Sequence, residues 1–92
     1  MNKENKISIA RDVFKQEIDT LKNIQENINE TFVKIEEEIV NCKGKVVLCG
    51  MGKSGHIARK ISATLASLGS SSFFLHPAEA MHGDLGMVSE HD

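Results

Sequence analysis

Ten consecutive residues, Val46-Val47-Leu48-Cys49-Gly50-Met51-Gly52-Lys53-Ser54-Gly55, constrain the fold of this chain more than any other stretch. A short, continuously apolar run ended by glycine is the pattern of a parallel strand buried on both faces. Helical spacing follows over Ser54–Leu68, with Ile57, Ile61, Leu65 and Leu68 on one face and Gly69 as the stop. Ser71–Leu75 is a second short strand, closed by His76-Pro77. Strand, glycine turn, helix and strand make a βαβ unit, whose crossover should be right-handed. Residues 78–83 can form a short helix, and Gly83 and Gly86 bracket a turn.

The preceding 42 residues carry a different texture. Ile7, Phe14, Leu21, Ile28 and Ile35 recur every seven residues, with Ile18, Phe32 and Ile39 four residues after three of them. This is one apolar stripe along helix with charge on the opposite side. A single helix of that length would reach roughly 50 Å at about 1.5 Å per residue, too long for a compact domain. A break is expected near Asn27-Ile28-Asn29, where Asn27 and Glu30 have capping-box spacing. Two helices follow, about 6–27 and 29–42. The seven-residue spacing also fits a coiled coil, but Arg11 and Gln25 interrupt the second row, and packing on a sheet or a partner subunit explains the pattern as well. The organisation is α/β: a helical segment over 1–43, then the first βαβ portion of a parallel sheet over 44–92. The chain stops where a third strand would begin, and two strands are too few for a stable parallel sheet.

Composition narrows the partners. The chain has 92 residues, 40% of them apolar, and a net charge of −2, which favours neither nucleic acid nor an acidic membrane. The stretch 44–78 nevertheless holds Lys45, Lys53, Arg59 and Lys60 and no acid, a local imbalance suited to a small anion. No apolar run approaches the roughly 20 residues of a membrane span. The opening MNKENK runs directly into the amphipathic pattern, unlike a signal peptide. Cys42 and Cys49 match neither a metal pair nor a disulfide framework, so the expectation is two reduced thiols in the cytoplasm.

Gly50-Met51-Gly52-Lys53-Ser54-Gly55 is built to meet an anion. Glycines allow a sharp turn and a close approach, while unpaired N–H groups and the helix dipole supply positive potential. Lys53 fits the same picture, since a cation at a helix N-terminus is disfavoured unless something negative offsets it. The plainest alternative is a tight turn with a solvated lysine and an N-capping Ser54. The turn also satisfies G-x-G-x-x-G, the dinucleotide fingerprint, but the acid expected near the end of the second strand is replaced by His76-Pro77. A nucleotide P-loop fails because Val47 stands where its first glycine is required. The remaining reading is a phosphosugar site in which Ser54 offers a hydroxyl and Lys53 a charge.

His76-Pro77-Ala78-Glu79-Ala80-Met81-His82-Gly83-Asp84 forms a second cluster just after the second strand. In open parallel sheets ligands bind beyond the carboxyl ends of the strands, so this segment and the glycine turn can converge on one ligand. Glu79 and His82, three residues apart, share a face if the segment is helical. A carboxylate beside an imidazole can shuttle protons between neighbouring sugar carbons. His76, Glu79 and His82 could instead bind a divalent metal, though their spacing matches no strong zinc signature. A loop whose polar groups cap its own turns is the third possibility. Met51, Met81 and Met87 are most simply gap-filling core residues.

Together the two clusters support a resemblance. Gly44-Lys45-Val46-Val47 followed by Gly50-Met51-Gly52-Lys53-Ser54-Gly55-His56-Ile57 resembles the opening of the sugar isomerase (SIS) domain of bacterial D-arabinose 5-phosphate isomerases. His76-Pro77-x-Glu79-Ala80-x-His82-Gly83-Asp84-Leu85-Gly86-Met87-Val88 is similar to the second signature of that family. The resemblance spans roughly residues 42–90 and implies a doubly wound, flavodoxin-like parallel sheet, here truncated after its second strand. It implies an aldose–ketose isomerase that interconverts D-ribulose 5-phosphate and D-arabinose 5-phosphate through an enediol, without a redox cofactor. Carried over by motif, Lys53, Glu79 and His82 are catalytic, and Gly50, Gly52, Lys53, Ser54, Gly55 and His76 bind the pentose 5-phosphate. Ala78 stands where the family has glycine. The family's third strand and the serine-rich phosphate turn after it are missing from these 92 residues, which alone are expected to be inactive. A sugar-phosphate-sensing SIS module, as in transcriptional regulators, is the alternative, but a sensor has no need of Glu79 or His82. An unpaired strand edge and an uncovered apolar stripe further predict a homo-oligomer, or the ordered part of a longer polypeptide, rather than a stable free monomer.

Overall fold

Asn2 starts the first helix. Its side chain accepts a hydrogen bond from the Asn5 N–H at 2.8 Å, and α1 runs over Lys3–Asn27 in the computed structural model, which covers residues 1–92. The helix ends where Asn27 turns its amide back, donating to the Asn23 carbonyl at 2.7 Å and to the Asn23 side chain at 3.0 Å. Ile28 then leaves the helical region with ψ 124°. The second helix, α2, spans Glu30–Val40. Its cap is not the one the sequence suggests: Asn29, rather than Asn27, accepts from the Thr31 N–H at 3.0 Å. The reason is competition, because the Asn27 side chain is already engaged inside α1. Ile7, Phe14, Leu21, Ile28, Phe32 and Ile35 all remain exposed. The chain forms two compact units, residues 1–35 and 36–92.

The second unit carries the sheet. Strand β1 is Val46–Cys49, helix α3 is Gly52–Ser67, and strand β2 is Ser72–Leu75. The strands pair in parallel with Val46 opposite Ser72 and Cys49 opposite Leu75. Both carboxyl ends therefore finish level, as a βαβ unit requires. Beyond β2 come a short helix, α4 (Pro77–Met81), and a 3-10 turn over Asp84–Met87. Gly83, between them, takes φ +125°, a region that disfavours any residue with a side chain.

Two expectations about packing change. Ile57 and Ile61 do not face the sheet; they are 61% and 44% exposed. The buried residues of α3 are Gly55, Ala58 and Ser62, a stripe of small side chains at helical spacing. Close approach decides this. A Cβ at Gly55 would fall 2.7 Å from the Gly50 carbonyl oxygen, so the helix can sit this near its strand only with glycine there. Ser62 is satisfied at the same interface: the Ser72 hydroxyl bonds it at 3.1 Å and donates to the Val46 carbonyl at 2.7 Å. The second change is that β1 is not buried on both faces. Val46, Val47 and Leu48 are half-buried and Cys49 is exposed, because α3 is the layer that packs on both strands. The buried apolar core is small, consisting of Ala58 and Leu75. Met51, Met81 and Met87, expected in the core, are exposed because no layer packs over the turns that carry them.

Candidate functional site

The path of the glycine turn depends on its composition. Gly52, the first residue of α3, has φ +59°, where glycine carries no penalty. Met51 is the N-cap in extended conformation and gives no side-chain cap. The first backbone hydrogen bond of the helix runs from the Gly55 N–H to the Met51 carbonyl at 3.2 Å. The N–H groups of Gly52, Lys53 and Ser54 precede it and have no partner within the chain. Three free donors at a helix start, with no acidic residue in the first turn, make a positive, open mouth. Gly50 and Gly55 hold its shape from below, each too close to the other's backbone to admit a Cβ without displacement.

The side chains there are accessible. Lys53 is exposed and forms no ion pair. The Ser54 hydroxyl donates to the Met51 carbonyl at 2.8 Å, so it must rotate before it can donate to a ligand. Ser54 therefore does not cap α3 in the N-cap position; it sits inside the first turn.

The second cluster begins at the adjacent strand end. His76 follows Leu75 directly and caps α4, its Nδ1 accepting from the Ala78 N–H at 3.1 Å. That bond places the proton of a neutral imidazole on Nε2, which leaves Nε2 as the donor available to a ligand. Pro77 at the first helical position suits the start of α4, since its missing N–H would find no partner there. Glu79 lies in the first turn of α4 and His82 is its C-cap, the His82 N–H donating to the Glu79 carbonyl at 3.1 Å. Both side chains are exposed. No side-chain hydrogen bond or ion pair joins Lys53, Glu79 and His82 to one another. Nor do His76, Glu79 and His82 gather into a set that could hold a metal ion.

Phe74, which the sequence motifs do not single out, links the two clusters. Its ring edge lies 3.8 Å from the point a Cβ of Gly55 would occupy. It meets the His76 ring edge-on with centroids 6.4 Å apart, and the Arg59 guanidinium stacks 4.2 Å from its centroid. Strand alternation carries the signal, because Phe74 and His76 are two residues apart and project to the same side. The glycine turn, Arg59, Phe74 and His76 thus form one continuous surface at the carboxyl end of the sheet.

Comparison with known proteins agrees with this architecture. The family model described as the SIS domain matches residues 38–92. Arabinose 5-phosphate isomerase KpsF of Escherichia coli O6:H1 strain CFT073 is 49% identical over 94% of this chain and 27% of its own length. Arabinose 5-phosphate isomerase KdsD of Salmonella typhi is 54% identical over 90% of this chain and 25% of its own. The chain thus spans about a quarter of the length of these curated relatives. A solved structure of an Escherichia coli CFT073 protein in complex with arabinose 5-phosphate superposes with a TM-score of 0.93 at 41% identity, covering 100% of this chain and 49% of that one. An α/β chain with a parallel β1–β2 pair, a glycine turn opening α3 and a histidine-rich segment after β2 belongs to the SIS domain family.

Proposed function

We propose that the full-length protein is a sugar-phosphate isomerase that interconverts D-ribulose 5-phosphate and D-arabinose 5-phosphate. The observation that carries this reading is the trio of unpartnered N–H groups on Gly52, Lys53 and Ser54, beside an exposed lysine and one strand end away from His76. That mouth suits a dianionic, hydroxyl-rich ligand. Relatives named as arabinose 5-phosphate isomerases, and a structural neighbour holding arabinose 5-phosphate, support the choice of substrate.

In this mechanism Gly50, Gly52 and Gly55 shape the turn, and Ser54 with the α3 N–H groups holds the anionic end of the sugar. His76 donates from Nε2 to a substrate oxygen. One proton leaves C1 of the ketose to give an enediol, and one arrives at C2; the C2 carbonyl becomes a hydroxyl while the C1 hydroxyl becomes the aldehyde. Glu79 and His82 move these protons, and Lys53 offsets the negative charge of the enediolate. No step requires a redox cofactor. The apolar stripe through Phe14, Leu21 and Phe32 is open on α1 and α2, which supports assembly as a homo-oligomer, and the cytoplasm is the compartment that suits two free thiols. No helix is long and apolar enough to cross a membrane.

Incubating the full-length protein with D-ribulose 5-phosphate and following D-arabinose 5-phosphate by NMR tests this reading. Steady conversion is expected. Tight binding of either sugar phosphate without any conversion would favour a sensing module instead.

A further inference from the structure

Glu79 and His82 lie on a segment with little to hold it. From Met81 through Glu90 every residue is largely exposed except Val88, which is 39% exposed, and inside the segment the main packing is α4 against the 3-10 turn. Within residues 1–92 the contacts that place it lie at its two ends. One end is Leu75, buried in β2. The other end is the pair His91-Asp92, which is fastened to the residues just before β1.

Four hydrogen bonds make that fastening. The Gly44 N–H donates to the His91 carbonyl at 3.1 Å, and the Cys42 thiol donates to the same oxygen at 3.5 Å. The Asp92 Oδ1 accepts from the Lys45 N–H at 2.8 Å. Its Oδ2 accepts from the Ser89 N–H at 2.7 Å, so a single carboxylate ties the returning segment to the β1 entry. Gly44 is the cradle: a Cβ there would fall 2.7 Å from the His91 carbonyl and would also strike the Asp92 carboxylate. The two backbone N–H groups, Lys45 first, also hold the Asp92 carboxyl below its ordinary pKa, with the nearby charges of Lys45 and His91 adding to the effect.

We propose that Asp92, seated against Gly44, is a positioning residue that sets where the Glu79–His82 segment sits over the glycine turn. Its kinetic part rests on the isomerase reading above; its structural part does not. The substrate-holding N–H groups belong to α3, whose contacts do not involve Asp92. Releasing the latch should therefore spoil proton transfer more than binding, because a shift of about 1 Å in a reacting group can cost about a hundredfold in rate.

The test uses the full-length protein with Asp92→Asn, Gly44→Ala and the double variant. Asp92→Asn keeps the shape but presents an NH2 group to one of the two N–H donors. Asp92→Asn should lower kcat at least about tenfold, with KM within about threefold and the melting temperature nearly unchanged. Gly44→Ala should lower kcat likewise, with the drop in melting temperature that a Cβ 2.7 Å from the His91 backbone brings. The double variant should be no worse than the poorer single one, since both break one device. Amide exchange over residues 77–90 should quicken in Asp92→Asn while α3 is unaffected, and this arm needs no activity. A wild-type kcat in Asp92→Asn, or a loss explained wholly by melting temperature, overturns the positioning role. Unchanged exchange over 77–90 overturns the latch itself. If the wild-type protein converts no sugar phosphate, the isomerase reading falls and the exchange result alone decides the latch.

Discussion

The two halves of the site are built on opposite principles. The turn at Gly50–Gly55 is fixed by backbone alone: Gly55 is buried, its neighbour atoms leave no room for a Cβ, and its free N–H groups point outward whatever the side chains do. The segment His76–Asp84 places its chemistry in exposed side chains on a five-residue helix, held chiefly at its ends. On the proposed reading this is a division of labour. Rigid backbone suits a task that never changes, such as holding a phosphate. Loosely packed side chains suit proton transfer, where a carboxylate and an imidazole must reach more than one atom.

That contrast can be broken by substitution in the full-length protein, starting with the side-chain half. Glu79→Gln and His82→Ala should each cut kcat by roughly 10²–10⁴-fold, the range for a lost general acid or base, while KM stays within a few-fold. Steady-state kinetics on D-ribulose 5-phosphate would show it. A KM effect without a kcat effect would move these residues from proton transfer to binding. Lys53→Met comes next. It should cut kcat/KM by about 10²–10³-fold and leave the circular dichroism spectrum intact, as expected for loss of an electrostatic stabiliser. Turnover within twofold of wild type would remove Lys53 from the site.

Gly55→Ala attacks the backbone half. The added Cβ meets the Gly50 carbonyl oxygen at 2.7 Å, so α3 must lift from β1, at a cost of about 1–3 kcal/mol in stability. Denaturant titration measures this, and an unchanged midpoint would mean that the turn is less rigid than its geometry indicates. The smallest effect concerns Asp92. Its carboxyl is held below the ordinary value of 3.8 by the Lys45 and Ser89 N–H groups. A lowered folded pKa means stability that is present above the unfolded value and lost as pH falls through the folded one. The melting temperature of wild type should therefore exceed that of Asp92→Asn slightly at neutral pH, begin to approach it near pH 3.8 and converge on it only in stronger acid. A gap that persists into strong acid would contradict the assignment.

Much of this is legible in the sequence, for local reasons. The run Val46–Cys49, the glycines after it and the stop at Gly69 are short-range signals, and β1, α3 and β2 lie where they indicate. The face that α3 turns to the sheet is not legible. Ile57 and Ile61 are more apolar than Gly55, Ala58 and Ser62, but nearness of backbones, not hydropathy, selects the packed face. The cap at Asn29 is hidden because two asparagines compete and Asn27 has a partner of its own in α1. The pairing of Lys45 with Asp92 joins residues 47 positions apart and leaves no local trace. Phe74 escapes notice because an apolar strand residue looks like core until its neighbours are known.

The central claim is that the glycine turn and the histidine segment serve one ligand. Titrating the full-length protein with D-arabinose 5-phosphate, while following the backbone N–H signals of Gly52, Lys53 and Ser54 and the imidazole signals of His76 and His82 by NMR, tests it directly. Both sets should shift along one binding curve with one Kd. Shifts confined to the turn, or two curves with different midpoints, would show that the segment after β2 belongs to some other task.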